Sequence, residues 1–198
     1  PMPVVPDMFR PEGARDGDRI LFIGKLAEQK GLHHLLRALP LMSRRARVDV
    51  VGAGRVDDSK VRALAAELKV EDRITWHPLL SQADLVKLYR SATLHVIPAV
   101  DEGLGLTAVE SLLCETPVVA FNSGGLPDIV IPEKTGLLVP VGDSKALAGA
   151  LDRVLGDDTL RARLGTEGRP FALEKFSPAA APGRYAEILR SAAGRRSG

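Results

Sequence analysis

The stretch LHVIPAVDEGLGLTAVESLL, residues 94–113, indicates both the fold class and the place of a binding site. It opens with an apolar run, which is typical of a strand buried on both faces of a sheet. A loop that contains two glycines follows, and the segment 106–113 has the spacing of a helix. The stretch therefore predicts a strand–loop–helix unit with polar groups at the carboxyl end of the strand.

The rest of the chain continues this alternation of apolar strands and helical segments. The other candidate strands are RILFIG, RVDVVG, RITWH, PVVAF and GLLVP, and Ser81 is a candidate N-cap for the helical segment SQADLVKLYRSA. Strands that alternate with helices form a parallel sheet covered on both faces, so the sequence predicts an α/β fold. We expect a Rossmann-like, doubly wound parallel sheet of about six strands with helices on both faces.

Composition narrows the class of protein. The chain has 198 residues, 45% hydrophobic and 26% charged, which is enough to build one good core. A net charge of +2 and only 4% aromatic residues do not indicate a nucleic-acid partner. The single cysteine, Cys114, excludes an intrachain disulfide and suits a reducing cytoplasm, where we expect the protein.

The two ends of the chain differ in composition from the middle. The Pro-rich start PMPVVPDMFRPEG is typical of a linker, and the end SAAGRRSG is typical of a frayed tail. We therefore expect a linker over residues 1–18, one folded domain over 19–190 and a tail over 191–198. No apolar run is long enough to span a bilayer.

The expected topology brings three loops to one crevice. In the common doubly wound order 3-2-1-4-5-6, ligands bind beyond the carboxyl ends of strands 1 and 4. The loop after strand 1 carries Lys25 and Lys30, and the loop after strand 4 carries Glu102 and Thr107. The loop after strand 5 is NSGGLPD, residues 122–128. Their convergence predicts a binding site.

Residues 103–107 have the features of an anion site. Gly103 and Gly105 lack a Cβ atom, so the backbone there can approach a ligand closely. A helix that begins near Leu106 presents free N–H groups and the positive end of its dipole, and Thr107 adds a hydroxyl. With the two lysines of the facing loop, these groups fit a diphosphate.

Two glutamates flank this anion site. Carboxylates repel phosphates, so Glu102 and Glu110 are expected to contact hydroxyl donors on either side. A nucleotide sugar offers a hexose, a diphosphate and a ribose in that order. The alternative is structural, with Glu102 near a helix cap and Glu110 a solvated helix residue.

Several motifs together resemble one enzyme family. GKLAEQKG, EGLGLTAVES, TPVVAFNSGGLPDIV and KTGLLVPVGDSKALAGAL, in this order, are similar to the C-terminal, nucleotide-sugar-binding domain of retaining glycosyltransferases of family 4. The resemblance runs from about residue 19 to about residue 190. It implies one half of a GT-B fold and a donor-binding domain over residues 19–190.

The resemblance also implies roles for individual residues. The lysines would bind the donor diphosphate, Glu102 would lie by the hexose and Glu110 would hold the ribose hydroxyls. The loop from His77 to Leu80 would line the base. The expected catalytic residues are Glu102, Lys25 and Lys30. The expected donor-binding residues are Gly103, Leu104, Gly105, Leu106, Thr107, Glu110, His77 and Leu80.

Two departures from the family pattern bear on this site. Leu104 stands where the family usually has Phe, which would reshape the sugar side. Glu115 stands where it usually has Gly. If that position ends the helix in left-handed geometry, the non-Gly residue costs about 1 kcal/mol.

GT-B enzymes contain two such domains, and the chain matches only the second. The segment VVPDMFRP resembles the interdomain linker, so the resemblance implies a missing N-terminal acceptor domain. We expect the domain alone to bind donor without efficient transfer, with no metal and no cofactor besides the nucleotide sugar. The resemblance also allows peripheral membrane association through the missing domain.

Two other functions remain open at this point. One is a non-catalytic module that binds a nucleotide sugar, and the other is a GT-B domain similar to UDP-sugar epimerases. The spacing of the paired glutamates argues against the epimerase. The donor base, whether of UDP, GDP or ADP, and the sugar are not determined by the sequence.

Overall fold

The computed structural model describes residues 6–15, 17–52 and 57–176. Its centre is a parallel sheet whose strands are β1 (Arg19–Ile23), β2 (Arg47–Val51), β3 (Ile74–His77), β4 (Leu94–Ile97), β5 (Val118–Phe121) and β6 (Gly136–Val139). The order across the sheet is β3-β2-β1-β4-β5-β6. The predicted doubly wound topology is confirmed, and the switch point lies between β1 and β4, where Ile20 pairs with Leu94.

Six α-helices cover the sheet. They are α1 (Leu32–Ala38), α2 (Ser59–Glu67), α3 (Gln82–Ser91), α4 (Leu106–Leu113), α5 (Ser144–Gly156) and α6 (Asp158–Phe176), among the described residues. Short 3₁₀ turns occupy Glu28–Lys30, Leu39–Leu41, Glu71–Arg73 and Leu126–Asp128. Ser81 caps α3 as predicted, because its hydroxyl accepts a hydrogen bond from the N–H of Asp84 at 3.2 Å.

The core consists of two apolar layers, one on each face of the sheet. Alternate residues of the strands supply both layers, as in β1, where Ile20 and Phe22 face one side and Leu21 faces the other. The first layer packs under α1, α2 and α5, and the second packs under α3 and α4. Helix α6 joins the two, with Leu164 in the first layer and Ala172 in the second.

Helix α1 is shorter than the sequence pattern LHHLLRALPLM predicts. It ends at Ala38, and a 3₁₀ turn that includes Pro40 continues the chain. Pro40 has no N–H to donate to the helix ladder, and its ring crowds the carbonyl one turn earlier, so the α-helix gives way to a 3₁₀ turn there, although Leu39 itself keeps the αR conformation.

The N-terminal segment packs against the domain ahead of the predicted boundary at residue 19. Phe9 is 2% exposed and belongs to the second apolar layer. The Arg15 guanidinium donates to the carbonyl of Ala92 at 2.8 Å and to the carbonyl of Glu115 at 2.7 Å. Residues 1–5, residues 177–190 and the predicted tail over 191–198 lie outside the described residues.

Glu115 ends α4 in the left-handed conformation, with φ 58°. A glycine would adopt this geometry without strain, so the glutamate costs about 1 kcal/mol. The bond from Arg15 to the Glu115 carbonyl helps to hold the strained turn.

Candidate functional site

Three loops meet beyond the carboxyl ends of β1, β4 and β5, as the topology predicts. The N–H of Val100 donates to the carbonyl of Gln29 at 2.9 Å, which joins the β4 loop to the β1 loop. The N–H of Gly125 donates to the carbonyl of Glu102 at 2.8 Å, which joins the β5 loop to the β4 loop. These bonds fix the relative positions of the loops around the crevice.

Close backbone approach at two glycines makes this arrangement possible. Gly31 has φ 72°, and a Cβ atom there would lie 1.7 Å from the carbonyl oxygen of Pro98. Gly124 has φ 52°, and a Cβ atom there would lie 2.1 Å from the carbonyl oxygen of Glu102. Both positions need glycine because a side chain would push the loops apart.

A cavity of about 330 Å³ opens between the β1 and β4 loops. Its lining residues are Ile23, Gly24, Lys30, Glu102, Gly103, Leu104, Leu106 and Thr107. Six of the residues that the sequence predicts as functional therefore surround one space. Gly105 lies beneath it as the N-cap of α4, with φ 59°.

The cavity lies at the positive end of α4, and a carboxylate already occupies that position. Glu102 Oε1 accepts a long hydrogen bond from the Gly105 N–H at 3.4 Å. Glu102 Oε2 forms an ion pair with Lys30 Nζ at 2.6 Å. The lysine and glutamate side chains are 30% and 15% exposed, so water only partly screens the pair. The sequence predicted both residues for ligand contacts but not their contact with each other.

Lys25 differs from Lys30. It is exposed, does not line the cavity and makes no hydrogen bond or ion pair to the described part of the chain. Its predicted contact with the diphosphate stays a prediction.

Glu110 lies on the cavity side of α4, one turn after the lining residues. It follows Leu106 by four positions and Thr107 by three, so the three side chains share one face of the helix. The Tyr89 hydroxyl donates to Glu110 Oε2 at 2.8 Å. Burial raises the pKa of Glu110, and the bond from Tyr89 lowers it in part. The sequence did not predict the contact of Tyr89 with Glu110. The one sign of it is a tyrosine on the apolar face of α3, whose buried hydroxyl needs a hydrogen-bond partner.

The predicted base-binding residues lie apart from the cavity. His77 Nε2 lies 2.6 Å from Oδ1 of Asp49, a buried carboxylate that the Arg19 guanidinium also binds. Leu80 packs against the second apolar layer. The structure therefore gives His77 and Leu80 local partners, and their contact with a base stays a prediction.

His95 and Cys114 are core residues. His95 is fully buried, and both ring nitrogens lie outside hydrogen-bond geometry to any described residue. Burial lowers the pKa of His95 to about 3, and the nearby backbone of Thr107 offsets the shift only in part. Burial raises the pKa of the Cys114 thiol to about 12, so the thiol is an unreactive apolar group.

The described residues contain neither a metal-binding cluster of side chains nor a helix suited to cross a membrane. No group of three or more His, Cys, Asp or Glu side chains gathers in metal-binding geometry within residues 6–15, 17–52 and 57–176. Over the same ranges, no helix combines the length and hydropathy that a bilayer crossing needs.

The strand order and the crevice define a Rossmann-like α/β domain, and its similarity to known proteins identifies it as a GT-B glycosyltransferase domain. The chain belongs to the family of glycosyl transferases group 1, whose family model matches residues 6–171. The predicted fold class and family resemblance are thereby confirmed.

Named relatives agree with this assignment. The chain is 39% identical over 160 residues to a D-inositol 3-phosphate glycosyltransferase of Acidothermus cellulolyticus. The aligned segment covers 75% of this chain and 36% of the relative. Sucrose-phosphate synthase from Thermosynechococcus elongatus superposes with a TM-score of 0.86 at 29% identity, over 98% of this chain and 52% of that one. An Anabaena protein solved with UDP-glucose, HepE, shares the fold at 21% identity, with a TM-score of 0.85 over 96% of this chain and 56% of that one.

The chain is shorter than these relatives. It spans 43% of an uncharacterised glycosyltransferase of Methanocaldococcus jannaschii and 36% of the Acidothermus protein. The activity of a whole enzyme of this family is therefore a proposal for this chain.

Proposed function

We propose that this domain binds a nucleoside diphosphate sugar and forms the donor side of a retaining glycosyltransferase active site. One observation carries the proposal. At the start of α4, Lys30 and Glu102 line the cavity beside the free N–H groups of the first helical turn, and Glu110 lies one turn farther along the same face of the helix. The order of these groups matches the hexose, diphosphate and ribose of the donor.

The phosphates would sit between Lys30 and the first turn of α4. The lysine supplies a full positive charge, and the N–H groups after Gly105 supply fixed partial charges. When the bond between the sugar and the diphosphate breaks, negative charge grows on the leaving diphosphate. Groups already aimed at that charge stabilise the transition state more than the ground state.

The two glutamates would hold the flanking parts of the donor. Glu102, at the mouth of the cavity, would accept hydrogen bonds from hexose hydroxyls once it leaves Lys30. Glu110, one turn deeper along α4, would accept hydrogen bonds from the ribose. Retention of the anomeric configuration is part of the proposal and rests on the family resemblance. The acceptor would bind a second domain, so this domain alone would bind donor without efficient transfer.

Calorimetry with UDP, GDP, ADP and their glucose derivatives tests the proposal on the domain alone. At least one nucleoside diphosphate should bind. Lys30→Ala should weaken its binding by about tenfold or more, because a charge-assisted contact contributes about 1.5–3 kcal/mol. The parent nucleoside should be affected far less, since it lacks the phosphates.

Lys87→Ala is the matched control, because it removes the same charge from an exposed lysine of α3 that pairs with Asp84 and does not line the cavity. An equal loss for nucleoside and nucleoside diphosphate in Lys30→Ala would contradict the phosphate assignment. No binding of any of the six ligands by the wild-type domain would reject the proposed function as a whole.

A further inference from the structure

Tyr89 lies behind Glu110 and is not one of the residues that line the cavity. Its side chain is fully buried in the second apolar layer. The edge-to-face neighbours of its ring are Phe9, with centroids 6.0 Å apart, and His95, with centroids 5.5 Å apart. Only the hydroxyl reaches a charged group, the Glu110 carboxylate, at 2.8 Å.

This hydrogen bond has a fixed direction and a fixed geometry. Burial and the nearby Glu110 charge raise the pKa of Tyr89 well above its usual value, so the hydroxyl stays protonated and donates. The enclosed ring leaves the hydroxyl little freedom to move. A glutamate has three side-chain torsions, whereas a carboxylate held at one oxygen keeps a defined orientation.

The hydrogen bond from Tyr89 leaves the two carboxylate oxygens of Glu110 in different surroundings. Tyr89 occupies Oε2, and no described residue donates to Oε1. Glu110 is only half-buried, and it shares the helix face of the cavity-lining Leu106 and Thr107. Oε1 is therefore the oxygen available to a ligand that extends along α4 from the phosphate position.

We propose that Tyr89 is a positioning residue that orients the Glu110 carboxylate towards the ribose hydroxyls of the donor. This inference rests on the proposed function, in which Glu110 binds the ribose. Tyr89 itself touches no ligand. It acts through Glu110, so its contribution exists only when the ligand carries the hydroxyls that Glu110 accepts.

The test compares ligands with and without those hydroxyls. UDP, GDP and ADP are each paired with their 2′,3′-dideoxy counterparts, and dissociation constants are measured by calorimetry. Tyr89→Phe keeps the ring in its apolar site and removes only the hydroxyl. It should weaken the ribose ligand by about threefold to tenfold, the range for one hydrogen bond, and change the dideoxy ligand by less than about twofold.

Two more variants complete the cycle. Glu110→Gln should remove ribose discrimination by a larger factor, because it removes the charge. The double variant Tyr89→Phe/Glu110→Gln should match Glu110→Gln alone within about twofold, since both changes act through one carboxylate. Ser111→Ala is the control, because it removes a buried hydroxyl from α4 that donates to the Thr116 carbonyl at 2.8 Å. It should affect both ligands of a pair equally.

The outcomes separate the inference from the proposed function. If Glu110→Gln weakens the ribose ligand and its dideoxy counterpart equally, or weakens neither, the ribose role of Glu110 is wrong. If Glu110→Gln weakens the ribose ligand selectively, but Tyr89→Phe weakens both ligands equally or neither, the positioning role is wrong. If Tyr89→Phe melts below the assay temperature, all variants are compared at a lower temperature at which it is folded, and equal weakening of the ribose and dideoxy ligands there overturns the inference.

Discussion

The ion pair between Lys30 and Glu102 predicts that removing the charge of Glu102 will raise the affinity for a bare nucleoside diphosphate. The same change should lower the affinity for a nucleotide sugar relative to that for the diphosphate. The two side chains meet at 2.6 Å and are partly shielded from water. A diphosphate at the start of α4 needs the same lysine and the same N–H groups that the Glu102 carboxylate now contacts. Binding of a nucleoside diphosphate must therefore displace the glutamate.

The magnitude follows from the burial of the pair. The gross attraction is several kcal/mol at an effective dielectric constant of about 20. Desolvation and side-chain ordering leave a net value somewhat above that of fully exposed pairs, about 1–2 kcal/mol, because both side chains are partly buried. Glu102→Gln removes this competition, so it should tighten a bare nucleoside diphosphate by about fivefold to thirtyfold.

The sugar-bearing donor should respond differently. In Glu102→Gln, Lys30 is also available to the diphosphate of the donor. The donor nevertheless loses the charge-assisted hydrogen bonds from its hexose hydroxyls to Glu102, which contribute about 1.5–3 kcal/mol. The ratio of nucleotide-sugar affinity to nucleoside-diphosphate affinity should therefore fall by about tenfold or more.

Calorimetry of the wild type and Glu102→Gln with both ligands measures this ratio. Glu28→Gln is the matched control, because Glu28 is an exposed acid in the β1 loop that does not line the cavity. The reasoning is refuted if Glu102→Gln weakens the bare nucleoside diphosphate, or if Glu28→Gln tightens it as strongly.

Two predictions concern stability. Gly124→Ala should lower the free energy of unfolding by about 2 kcal/mol or more, because a left-handed alanine is strained and its Cβ meets the Glu102 carbonyl; the melting temperature should fall by about 4–8 °C, whereas Gly103→Ala, with open space around its Cβ, should change it little. Burial keeps His95 neutral, with a pKa of about 3 in the folded state and about 6.5 in the unfolded state. Its contribution to the free energy of unfolding is therefore fully present above about pH 6.5 and is lost as the pH falls. The loss should reach about 2 kcal/mol at pH 5, and His95→Phe should flatten this part of a denaturant-measured pH profile; an unchanged slope would show that other groups cause it.

The alternation of strands and helices could be predicted because local patterns of apolar residues determine it. The order across the sheet could be expected because 3-2-1-4-5-6 is a common order of doubly wound sheets. The convergence of the Lys30, Glu102 and Gly124 loops then follows from the position of each loop at the carboxyl end of a strand.

The contacts inside the site could not be predicted in the same way. Lys30 and Glu102 are 72 positions apart, and each has a chemical role towards a ligand that the sequence suggests without their pairing. The hydrogen bond from Tyr89 to Glu110 depends on how α3 packs against α4, which periodicity does not encode. His77 ends β3, and the family resemblance implies that the loop it opens lines the base, whereas the sequence gives no sign that the His77 ring lies against the buried acid Asp49 on the neighbouring strand.

The N-terminal segment shows a second limit of composition. A Pro-rich run predicts a linker, because prolines prevent regular structure. The burial of Phe9 depends on a site that distant parts of the chain create, including Arg169, whose guanidinium donates to the Phe9 carbonyl at 2.9 Å. One aromatic residue in a proline-rich run was the available signal.

The attachment of this segment matters for building chimeric enzymes. A chimera joined at residue 19, where the sequence pattern of the sheet begins, would discard Phe9 and Arg15. Tyr89 would then lose an aromatic neighbour, and the strained turn at Glu115 would lose its guanidinium. A chimera that exchanges donor domains between enzymes of this family should therefore be joined ahead of residue 6. The transplanted domain then keeps the N-terminal segment that packs against it.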